Sequence, residues 1–94
     1  MEWTRSKGEV CEYSTGYVGL CNYISMSHTT YNNHYWYTYS VDGEEMFHGS
    51  FNAKNWDEAE QIAVDRIREE LSYRAERWKK MLEDFNGGVS ASGT

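Results

Sequence analysis

The pattern of apolar and polar positions changes period once along the chain. Up to about residue 51 the two kinds of residue alternate in short runs broken by turn residues, which is the period of strands. From Asn55 onward apolar residues recur three and four positions apart, which is the period of a helix.

In the first half, Val10 to Tyr13 predicts a short strand, and Ser14-Thr15-Gly16 a tight hairpin turn after it. A second strand is predicted from Tyr17 to about Ser27. It carries Val18, Leu20, Ile24 and Met26 on one face, with Asn22 the odd member, and Tyr17, Gly19, Cys21, Tyr23 and Ser25 on the other. His28 to Asn33 is polar and contains Asn-Asn, so it reads as a loop. His34 to Val41 has the strongest strand pattern, with Tyr35, Tyr37, Tyr39 and Val41 on one face and His34, Trp36, Thr38 and Ser40 on the other. Asp42-Gly43 is a hairpin signal, and Glu44 to Phe51 reads as the return strand.

The helix is predicted over residues 55–86. Asn55 is a natural N-cap with Glu58 three residues later, and Asp57, Glu58 and Glu60 place negative charge where the helix dipole favours it. Ala59, Ile62, Ala63, Ile67 and Leu71 form one apolar stripe, which continues through Ala75, Trp78, Leu82 and Phe85. Gly87 is expected to end the helix and residues 89–94 to form a flexible tail. The fold class is α+β: a three- to four-stranded antiparallel meander within residues 9–51, then a long C-terminal helix on one face. Residues 1–88 form a single domain.

Thirty-odd helical residues span roughly 45 Å, whereas an eight-residue strand spans about 27 Å. The sheet therefore covers only the first half of the helix, leaving Trp78, Met81, Leu82 and Phe85 to face water. Two arrangements would cover them: a break near Ser72-Tyr73 with a second helix folding back, or a second copy meeting the chain along Leu71, Ala75, Trp78, Leu82 and Phe85.

Ninety-four residues allow one small core. Nine basic residues against 15 acidic ones give a net charge of −6, which argues against a general nucleic-acid binder. No run approaches the ~18 apolar residues of a membrane span, and the N-terminus lacks a signal peptide, so the expected location is the cytoplasm. Cys11 and Cys21 share no CxxC spacing with each other or a short spacing with His28, His34 or His48. They are expected as free thiols packed like small hydrophobes, with neither metal nor cofactor. Glu44 and Glu45 at the hairpin, and Asp57, Glu58 and Glu60 at the helix start, read as solvated charges rather than an acid–base pair. No nucleophile elbow occurs, and Gly87-Gly88 follows a helix instead of preceding one, so no phosphate loop exists. The protein is expected not to be an enzyme.

The stretch from His28 to Ser40 carries the functional signal. A sheet covered by one helix buries one face, yet the central strand has large aromatics on both. Either Trp36 or the Tyr35, Tyr37, Tyr39 row is therefore exposed. Tyr and Trp supply rigid contact area at low entropy cost, and Ser and Asn supply adaptable hydrogen bonds, which is the composition of a protein-binding surface. Tyr31, His34 and Trp36 are the candidate anchors if the tyrosines face the helix, with Glu44 and Glu45 as an acidic rim. Sheet aromatics also stack on bases, so a nucleic-acid-binding regulator is the alternative. It would use the basic late helix, Arg74, Arg77, Lys79 and Lys80.

Trp3 ahead of Gly8, the strand Tyr-Trp-Tyr-Thr-Tyr-Ser-Val, a Gly-bearing turn and Trp56-Asp57-Glu58-Ala59-Glu60-Gln61-Ile62-Ala63 opening a helix resemble the small sheet-plus-helix proteins of bacteriophages and mobile elements. Some of these, of similar size and acidity, are anti-CRISPR or other anti-defence inhibitors. The resemblance implies a non-enzymatic inhibitor or adaptor and transfers no functional residue. The long helix after Leu71 is a departure from it.

Overall fold

In the computed structural model the chain is an antiparallel sheet followed by one long helix, and residues 1–92 are described, with side chains through Val89. The sheet has five strands in sequence order, β1 Trp3–Lys7, β2 Cys11–Tyr17, β3 Asn22–Thr29, β4 His34–Val41 and β5 Glu44–Asn52; the helix, α1, is Trp56–Ser92. The chain divides into two units, Met1–Ala63 and Val64–Thr94.

The meander is as expected, but it has one strand more than the three to four predicted, and the strands extend beyond 9–51 at both ends. The added strand, β1, has only Trp3 as a large apolar residue. It is held by its ladder, with Trp3 opposite Gly16 and Arg5 opposite Ser14, and by an ion pair described below.

The predicted turn at Ser14-Thr15-Gly16 is strand. Those residues pair with Met26, Ser25 and Ile24, and the chain turns instead at residues 18–21, where Val18 N and Gly19 N donate to Asn22 O. Val18 and Leu20 consequently lie in the turn, fully exposed in the case of Leu20, rather than on the buried face with Ile24 and Met26. The physical reason is partnership. Ser14 is buried because its hydroxyl finds a carboxylate, and Gly16 is buried where a Cβ would meet the Trp3 ring at 2.9 Å. The predicted loop is shorter too: β3 runs through His28 and Thr29, and Asn32 closes the turn by accepting from Thr29 Oγ1 at 3.2 Å and from His34 N at 2.9 Å.

Asp42 and Gly43 both take positive φ, 53° and 81°, the two-residue hairpin turn expected. Met46 is the extra residue of a bulge in β5, between Phe47 opposite Tyr39 and Glu45 opposite Ser40.

The register assigns the faces. Tyr35, Tyr37 and Tyr39 lie on the face of Ile24, Met26 and Phe51, and all six are buried. Gly49 stands opposite Tyr37, where a Cβ would come within 2.9 Å of the ring, so only glycine lets the phenol lie over β5. The first turns of α1 cover this face through Trp56, Ala59, Glu60 and Ala63. Trp56 meets Tyr35 edge-on at 5.0 Å between centroids, and Ala59 and Ala63 are fully buried. Asn55 is the N-cap: its side-chain oxygen accepts from Glu58 N at 2.9 Å.

Two expectations about the helix end fail. It passes through Gly87-Gly88 to Ser92, so Gly87 is not its cap and residues 89–92 are helix rather than tail; residues 93 and 94 lie outside the described residues. It also shows no break at Ser72-Tyr73, so no second helix folds back. A Cβ at Gly87 or Gly88 would meet nothing. These glycines weaken the helix through backbone entropy alone and do not reverse it.

Candidate interaction face of the sheet

The face of the sheet opposite α1's first turns is built from side chains that alternate with the core. Across the five strands the register aligns Ser6, Tyr13, Ser27, Trp36 and Ser50 in one row and Thr4, Thr15, Ser25, Thr38 and His48 in the next. Eight of these ten carry a hydroxyl and none is Lys, Arg, Asp or Glu. Trp36 is 41% exposed and Tyr13 49%. A third row, Tyr17, Tyr23, Ser40 and Glu45, ends in acid, and the Tyr17 and Tyr23 rings lie 5.7 Å apart.

Of the anchors named from the sequence, three share one end of the face. Trp36 stands edge-on to His34 at 4.7 Å, His34 Nδ1 is 2.7 Å from Asn52 Oδ1, and Tyr31 is exposed in the β3–β4 turn. Glu44 and Glu45 sit at the opposite end of β4, beside the Asp42-Gly43 turn, with His48 Nδ1 3.5 Å from Glu45 Oε2. They form one margin rather than a rim around Trp36. Tyr13 is an exposed ring that the sequence reading missed. The unbroken alternation Cys11, Tyr13, Thr15, Tyr17 against Glu12, Ser14, Gly16 was the signal for it.

The opposite face holds the polar chemistry. Arg5 Nε donates to Glu60 Oε2 at 3.0 Å, and its Nη2 donates to Glu60 Oε1 at 2.6 Å and to Asp57 Oδ1 at 2.7 Å. Ser14 Oγ donates to Glu60 Oε2 at 2.7 Å. Glu60 is therefore not the solvated helix-start charge expected: its side chain is 7% exposed. Those hydrogen bonds, to Glu60 first and then Asp57, raise the Arg5 guanidinium further above its ordinary value, so it stays charged throughout. A fork that satisfies both oxygens of a buried carboxylate is a structural lock, and it ties β1 and β2 to the helix start.

His28 stacks on Tyr35 with centroids 4.1 Å apart and meets Trp56 edge-on. Its Nδ1 is 3.2 Å from Glu12 Oε1, and its Nε2 donates to the Asn32 carbonyl. Burial pushes the Tyr35 phenol up, and the Glu12 charge adds to that. Cys11 and Cys21 are free, and Cys21 is exposed in the β2–β3 turn instead of packed. They lie at opposite ends of β2, roughly 20 Å apart at ~3.3 Å per residue, too far to bridge within one chain. Among the described residues no three of His, Cys, Asp and Glu cluster so as to hold a metal, and no helix is long and apolar enough to cross a membrane.

No protein-family model matches the chain, and no curated protein or solved structure is significantly similar to it.

Proposed function

We propose that the protein is a non-enzymatic protein-binding module that presents the Trp36 face of its sheet to a partner protein, as an inhibitor of a host nucleic-acid-handling or defence complex. The observation that carries the reading is the composition of that face: rings and hydroxyls on a rigid sheet, with no charge in its two central rows. Rings anchor, and short hydroxyls adapt without the desolvation cost of a buried charge. The net charge of −6 suits a target with a basic surface and speeds encounter with it. Phage anti-defence proteins, which the sequence resembles, meet targets of that kind. A nucleic-acid ligand fits poorly, since the face offers no cation to a phosphate backbone.

Trp36→Ala should cost about 2 kcal/mol or more in affinity, whereas Glu44→Ala should cost under ~1 kcal/mol and act on the association rate. The test is retention of host proteins by tagged wild-type and Trp36→Ala chains, quantified by mass spectrometry, beside titration with single- and double-stranded oligonucleotides at low salt. A host protein retained by wild type and lost by Trp36→Ala supports the reading. Micromolar oligonucleotide binding, weakened by changing Lys79 and Lys80, overturns it.

A further inference from the structure

We infer that the late helix is a self-recognition element that pairs antiparallel with the same segment of a second copy. The inference concerns the unit Val64–Thr94 and does not depend on what the sheet binds. The helix leaves Leu71, Trp78, Leu82, Phe85 and Val89 exposed, Trp78 to 66% and Phe85 to 68%. With Ala75 they fall at alternating steps of four and three, the spacing of a seam between two helices. Val89 joins only because the helix continues through Gly87-Gly88. That adds a rung and brings the seam to six layers.

Charge and size select both the partner and its direction. The positions that flank the seam are Arg74, Met81 and Gly88 on one side and Ser72, Lys79 and Asn86 on the other. Glu69, Glu70, Glu76, Glu83 and Asp84 all lie on the outer face. A parallel pair sets Arg74 of each copy against Lys79 of the other, two repulsive contacts in one interface. It also stacks Trp78 on Trp78 and leaves Ala75 facing Ala75, so bulky and hollow layers adjoin. An antiparallel pair centred between Trp78 and Leu82 removes the layer mismatch and halves the like-charge contacts. Phe85 then faces Ala75 of the second copy, Trp78 faces Leu82 and Val89 faces Leu71. Arg74 faces Gly88, and the single like-charge contact left is Lys79 with Lys79, at the solvated margin.

The area is adequate. An aromatic side chain buries roughly 150–250 Å² when fully covered, so the exposed parts of Trp78 and Phe85 from two copies supply about half of the ~1,000 Å² that a specific interface needs. The aliphatic residues of the seam and Met81 supply the remainder.

Sedimentation or light scattering on the full chain should give twice the chain mass at micromolar concentration, and Trp78→Glu with Leu82→Glu should give the chain mass. A cooperative urea transition that retains the wild-type midpoint would show that the sheet still folds in that variant. A wild-type chain that stays monomeric at ~100 μM overturns the inference, because six apolar layers should hold well below that. Direction is read by cysteine cross-linking in a Cys11→Ser, Cys21→Ser background. Met81→Cys lies beside its own copy only in the antiparallel pair and should oxidise to a dimer, whereas Ala75→Cys should not. Efficient cross-linking of Ala75→Cys with none at Met81→Cys would overturn the antiparallel arrangement.

Discussion

The units Met1–Ala63 and Val64–Thr94 spend the same residue types differently. In the first, the apolar residues of one sheet face and of the helix start are covered: Ile24 and Met26 are 1% exposed and Ala59 and Ala63 not at all. Its central ion pair joins residues 55 apart in sequence and satisfies a buried carboxylate. In the second, Trp78, Leu82 and Phe85 are exposed on the same helix, and Arg74 pairs with Glu70 at 2.9 Å and Arg68 with Asp65 at 3.7 Å, each within about one helical turn. Periodicity reports which residues share a face. It does not report whether anything covers that face, and within one helix the two answers differ.

Equivalent truncations sharpen the contrast most. Met26→Ala should destabilise the sheet by about 3 kcal/mol, since the cavity lies among buried rings with little room to collapse. Leu82→Ala should leave the urea midpoint of the sheet within the range of a surface change, about 0.5 kcal/mol, while raising the dissociation constant of the proposed helix pair. A large loss of sheet stability from Leu82→Ala would break the comparison.

The ion pairs come next. Arg5→Met strands the buried Glu60 carboxylate with Ser14 as its remaining partner, at a cost of about 2–3 kcal/mol, held below the figure for a fully buried pair by the exposure of Arg5. Glu60→Gln keeps a partner for Ser14 and leaves the half-exposed Arg5 guanidinium to Asp57 and water, so it should cost less. Glu70→Ala should cost under ~0.5 kcal/mol, as exposed pairs one helical turn apart do. Denaturation of the three variants checks the order, and equal losses from Glu60→Gln and Arg5→Met would contradict the stranded-carboxylate account.

Gly87→Ala and Gly88→Ala each relieve about 1 kcal/mol of helix entropy with no clash. Helical dichroism should rise, and the sheet transition should not move. Gly49→Ala, in the other unit, should destabilise, because its Cβ would strike Tyr37.

The smallest effect is at high pH. Burial raises the Tyr35 phenol in the folded chain above its unfolded value, so the neutral form is the one the fold favours. Its contribution is fully present below the unfolded value of about 10 and is lost as pH rises through the folded value. Tyr35→Phe should flatten the alkaline decline in stability, and tyrosinate absorbance should lose one ring that titrates above the ordinary tyrosine value. An unchanged alkaline limb would contradict the burial argument.

The sequence by itself determined what depends on neighbours in the chain: the switch from strand to helix near Asn55, the cap at Asn55, the positive-φ turn at Asp42-Gly43 and the alternation of Tyr35, Trp36, Tyr37 and Tyr39. Each is fixed by local dihedral preference or by side-chain period. Tertiary structure alone decided which side of that alternation is covered, and so that Trp36 rather than the tyrosines is presented. It also decided that β1 exists, because a strand as polar as Trp3–Lys7 is held by a ladder and by Glu60, far away in sequence. Ser14-Thr15-Gly16, as turn-like as any triplet in the chain, became strand for the same reason. A turn propensity worth about a kilocalorie yields when a buried hydroxyl finds a carboxylate and a glycine makes room for an indole.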